Sequence, residues 1–125
     1  MSISRRDQFE HENKRWELLL DFLKQENILL KNRLSVVVDN EEDKEFLKQA
    51  EYFQNEFILK DEFIKDVIIN VNDHKKYLKE KSVDENLKNI MSTKQEKLRN
   101  EISNLEKSFS CLEYEFNKLI EHFLG

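Results

Sequence analysis

Apolar residues recur along this chain at alternating spacings of three and four, the spacing that lines one face of an α-helix. In the first segment Phe9, Trp16, Leu23, Leu30 and Val37 repeat every seven residues, and Asn13, Leu20, Asn27 and Leu34 form a second row four residues on. The two rows make an a/d heptad, with the asparagine row at a, and predict a helix over about 5–38. Asn13 and Asn27 therefore occupy seam positions, where they are candidate register-setting residues. A seam asparagine costs stability but favours the register in which it meets another amide. The alternative is that each sits at a wet edge or bonds to a neighbouring helix.

The same helix carries a second apolar stripe. At about 100° per residue, Leu18, Phe22, Leu29 and Val36 fall nearly opposite Leu20. A helix that is apolar on two sides has to bury both. Either it lies between two other helices of the chain, or one face meets another molecule. Three helices do not easily enclose one of their own number, so the stripe predicts an intermolecular interface.

Val36-Val37-Val38 gives way to the acidic cluster Asp39-Asn40-Glu41-Glu42-Asp43, which predicts a turn and places negative charge at the start of the next helix. That helix is expected over about 42–80, with Phe46, Ala50, Phe53, Phe57, Ile64, Val67 and Val71 on its inner face. Leu47 and Ile68 widen this face, while Tyr52, Leu59 and Phe63 lie toward the back. Lys60 holds a seam slot and is expected to extend its ammonium to solvent. Asn70 to Asp73 are poor helix formers that mark a possible kink. Ser82-Val83-Asp84-Glu85 reads as a capping box opening a third helix over about 83–124. Its inner face runs through Leu87, Met91, Leu98, Ile102, Leu105, Phe109, Leu112, Phe116, Leu119 and Phe123, with Ser92 or Thr93 offering a weaker alternative start. The fold class that follows is all-α: an elongated antiparallel three-helix bundle or coiled coil with long helices and short turns, in a single domain, 1–125.

Composition narrows this further. The chain has no proline, and its one glycine is the last of 125 residues. β-rich folds draw on both residues for turns, and phosphate-cradling loops need spaced glycines, so both classes are excluded. Ala50 is the single alanine, while Asn, Lys, Ile and Phe are abundant, as AT-rich coding would give. In general character the heptads resemble those of bacterial coiled-coil proteins, and no motif singles out a family. Net charge is −5, spread as 0 over residues 1–40, −4 over 41–80 and −1 over 81–125. No basic stripe emerges, so no direct nucleic-acid contact is expected. No run approaches the ~18 apolar residues of a membrane span, and charged residues follow the N-terminus. The expected setting is the cytoplasm, away from membranes.

Candidate chemistry is sparse. The residues three before His11, His74 and His122 are Gln8, Val71 and Leu119, so the Glu-x-x-His pairs of di-iron bundles are missing. One cysteine and three scattered histidines do not supply a zinc site. Asp73-His74 and Glu121-His122 read as solvated surface, and Cys111, beside the third seam, as a small semi-buried side chain. Trp16 is either core or an interface anchor. No catalytic, metal or cofactor-binding residue is therefore assigned, and no enzyme activity is expected.

The function expected is that of a non-enzymatic, self-associating coiled-coil bundle, most simply a homodimer, acting as scaffold or recruiting a protein partner through Leu18, Phe22, Leu29 and Val36. Two other readings compete. In one, the nine phenylalanines line an apolar cavity for a ligand. In the other, the chain regulates a nucleic-acid-binding partner, or binds RNA itself through Arg5, Arg6, Lys14 and Arg15.

Overall fold

The computed structural model describes residues 4–80 and 85–124, and these form three long helices. They are α1 (Arg5–Asn40), α2 (Lys44–Glu80) and α3 (Glu85–Leu124). At 1.5 Å per residue each is about 55–60 Å long. Among the described residues there is no strand. Cross-helix bonds run from Phe57 and Asp61 to Asn27 and from Glu17 to Lys75, so α1 and α2 are antiparallel. Lys60 meets Ser108 and His74 meets Gln95, so α3 reverses again and lies parallel to α1.

Local chemistry sets the helix ends. Ser4 caps α1: its hydroxyl accepts from the backbone N–H of Asp7 at 3.1 Å. At the other end Asn40 Nδ2 donates to the Val36 carbonyl at 2.7 Å, which carries α1 two residues past the expected end. Asp43 Oδ1 accepts from the Phe46 N–H at 3.1 Å, so the acidic cluster supplies the N-cap of α2 rather than its first turn. Glu41 Oε1 accepts from the N–H groups of Glu42 and Asp43 and holds the tight connection. Helix α2 passes through 70–74 without a break, pinned by buried Val71, His74 and Leu78. Helix α3 is likewise continuous through 91–93; Thr93 donates to the Asn89 carbonyl within the helix instead of starting a new one. Ser82, the capping residue expected to open this helix, lies outside the described residues, which resume at Glu85.

The core follows the heptad rows. Leu20, Leu23, Leu34, Phe46, Phe57, Ile64, Val67, Leu105 and Phe116 are among its most enclosed side chains. Trp16 is buried with them. At the end where α1 finishes, the aromatic rings pack edge to face: Phe57–Phe116 at 5.2 Å and Phe46–Phe123 at 5.5 Å between centroids. Phe53 leans on Phe116 at 5.6 Å. Phe9 and Val37, at the two ends of the α1 seam, are only half-buried. Lys60 departs from expectation: its ammonium donates to the Ser108 hydroxyl at 3.0 Å and bridges α2 to α3.

Candidate functional site

The outer stripe of α1 is the most apolar exposed row on the molecule's first helix. Leu18 is 74%, Phe22 58%, Leu29 60% and Val36 61% exposed. Phe22, Leu29 and Val36 stand seven residues apart on one continuous helix, and Leu18 lies one turn before Phe22. The slots between them hold Gln25 and Asn32, both exposed. Other large apolar groups reach the surface on α2, at Tyr52, Ile58, Leu59, Phe63 and Ile69. On the outer side of α3 Tyr114 stands among polar neighbours, with Lys118 Nζ 5.3 Å from its ring.

Asn13 and Asn27 are buried on the inner face of α1 and bond to different neighbours. Asn27 Nδ2 donates to the Phe57 carbonyl at 2.9 Å and to Asp61 Oδ1 at 2.6 Å, both on α2. Lys31 completes this group by an ion pair with Asp61. Asn13 Oδ1 accepts from Gln95 Nε2 on α3 at 3.1 Å. Each asparagine thus ties α1 to a different helix of its own chain. Neither is turned outward to the Leu18–Val36 stripe. Asn13 Nδ2 and Asn27 Oδ1 have no hydrogen-bond partner among the described residues.

The histidines and the cysteine divide differently from expectation. His11 and His122 are exposed, whereas His74 is only 4% exposed and meets Gln95 inside the bundle. The reading of Asp73-His74 as solvated surface is therefore corrected: His74 lies three residues after Val71 and four before Leu78, in the seam itself. Cys111 is exposed rather than semi-buried. Gln95 occupies the seam slot between Met91 and Leu98 and is completely buried. Among the described residues no three His, Cys, Asp or Glu side chains gather to hold a metal ion. No described helix is long and apolar enough to cross a membrane.

Charge is arranged along the grooves between helices. Glu12 accepts from Arg99 Nε and Nη2 at 2.8 and 2.7 Å, a two-bond fork between α1 and α3. The Arg99 hydrogen bonds hold the Glu12 carboxyl below its ordinary value; partial burial opposes this, and the Gln95 bond adds to it. Glu17 pairs with Lys75 at 3.1 Å. Arg5 lies 5.7 Å from the Phe9 ring, beside a groove of about 510 Å³ that includes Ser4, Met91 and Ser92. Lys14 and Arg15 are exposed. No protein-family model, curated protein or solved structure matches the chain.

Proposed function

We propose that this chain is a non-enzymatic interaction protein: a helical coiled-coil bundle that self-associates as a dimer through the outer face of α1, serving as a scaffold or recruiting a protein partner. The observation that carries this reading is the exposed row Leu18, Phe22, Leu29 and Val36 on a helix whose opposite face already packs a core. Fully covering one such side chain is worth about 1.5–3 kcal/mol. The seven-residue spacing of Phe22, Leu29 and Val36 suits a second helix better than a flat partner, because it is the spacing at which helical side chains interlock. A second copy of α1 offers the same spacing. The phenylalanines of the core pack against one another, which favours a surface-based role over an apolar ligand cavity.

Sedimentation equilibrium across the micromolar range tests this reading. A concentration-dependent monomer–dimer equilibrium is expected. A monomer at every concentration would exclude self-association.

A further inference from the structure

Near the end where α1 begins, all three helices meet at one buried polar junction centred on Gln95. Its Oε1 lies 2.6 Å from His74 Nε2 on α2. Its Nε2, with two hydrogens, shares them among three acceptors on α1: Glu12 Oε1 at 2.8 Å, Asn13 Oδ1 at 3.1 Å and, at the longest distance, the Phe9 carbonyl at 3.4 Å. With acceptors on that side, the amide orientation is fixed, and Oε1 is left to accept. His74 Nε2 therefore carries the ring proton and donates it. Nδ1 is then the bare nitrogen; it is buried and has no hydrogen-bond partner among the described residues. The closed junction accommodates the neutral imidazole. A second ring proton would sit at Nδ1 with no acceptor, in a site shielded from water.

The charged groups around the ring do not remedy this. On α3, Lys94, Lys97 and Glu101 line the adjoining groove, facing Asp73 and Tyr77 of α2, with Lys94 Nζ 4.2 Å from the Tyr77 ring. On α1 the facing carboxylate is Glu12, on the far side of Gln95, where the Arg99 fork already matches its charge.

We propose that His74 is an acid-sensitive latch: protonation unseats the Gln95 bridge and frees the first turns of α1 from α2 and α3, while the phenylalanine-packed end stays closed. The imidazolium keeps its Nε2–H donor, but its Nδ1–H gains an acceptor only if the ring leaves the junction for water, and the contact through which Gln95 reaches α2 goes with it. Burial pushes the imidazole below the ordinary histidine range; the Gln95 bond partly opposes this and the Lys94 charge reinforces it. The open form binds a proton in the ordinary range, near 6.5. The closed form is thus fully favoured above that pH and loses ground as pH falls below it, by up to about tenfold in the open-to-closed ratio per pH unit.

Two measurements on the full chain test the latch. The first is an NMR titration of the His74 imidazole, which is expected to titrate below the ordinary histidine range. The second is amide hydrogen exchange, corrected for its intrinsic pH dependence. Residues 8–16 are expected to lose protection by up to about tenfold per unit below pH 6.5, while residues 46–57 keep theirs. His74→Gln keeps a donor for Gln95 and removes the titration, so it should abolish this difference. A His74 that titrates in the ordinary histidine range, near 6.5, overturns the proposal, as does the same acid-dependent opening in His74→Gln. If that variant fails to fold, the ring titration of the unaltered chain decides alone.

Discussion

Helices α1 and α3 run side by side, in the same direction and at similar length, yet they divide their apolar residues in opposite ways. Helix α3 keeps one face through its length from Leu98 to Leu119: Leu98, Ile102, Leu105, Phe109, Leu112, Phe116 and Leu119 are all buried, and its exposed large apolar residues, Ile90, Tyr114 and Leu124, stand far apart. Helix α1 interrupts its inner face with Asn13 and Asn27 and carries Leu18, Phe22, Leu29 and Val36 outside. The difference separates two tasks. Helix α3 is patterned for stability, since its heptad row from Leu98 to Leu119 is out of water and its exposed apolar residues form no row. Helix α1 gives up part of its core contribution to amides that match it to its neighbours, and keeps an apolar row available on its far side.

The largest test of this contrast sets two phenylalanines against each other. Phe116→Ala, in the core, should cost about 3–5 kcal/mol in chemical denaturation. Phe22→Ala, on the outer face, should stay within about 0.5 kcal/mol when measured on the dilute monomer. Equal losses would mean that the outer row is buried in a way the bundle does not account for. A smaller loss is expected for Asn27→Ala. It removes the donor to the buried Phe57 carbonyl and to Asp61, and should cost about 1–3 kcal/mol.

The smallest effect concerns the Glu12–Arg99 fork. Because the native carboxyl is held below its ordinary value, its stabilisation is present above that value, 4.5, and is lost as pH falls through the lowered one. Arg99 is about half exposed, so the difference should stay below about 1 kcal/mol. Urea denaturation at pH 5 and pH 3 should show Glu12→Gln losing less stability on acidification than the unaltered chain.

Much of this arrangement is legible in the sequence, because helical spacing alone sorts side chains into faces. The rows Phe9–Val37 and Leu98–Phe123 and the outer stripe are visible without coordinates, as is an acidic turn expected over 39–43, which the structure confines to 41–43. What spacing hides is the content of polar seam slots. His74 and Gln95 follow the rule that picks out Asn13 and Asn27, a polar residue where an apolar one is due. Reading His74 through its neighbour Asp73 instead places it on the surface. That Gln95 faces His74 and Asn13 together depends on the relative rotation of three helices, which no single segment records. Lys60 is similar: its slot is visible, but Ser108 as its acceptor lies 48 residues away. Cys111 is one position before the seam residue Leu112, and the helical turn is enough to expose it.

The central claim is that α1, and not α3, presents the face that associates. Sedimentation equilibrium on two double variants tests it most directly: Phe22→Glu with Leu29→Glu on the outer face of α1, and Cys111→Glu with Tyr114→Glu on that of α3. All four side chains are exposed, so helicity by circular dichroism should persist in both. The α1 pair should be monomeric throughout the micromolar range, while the α3 pair dimerises like the unaltered chain. Dimerisation that survives the α1 pair, or is lost with the α3 pair alone, would contradict the account.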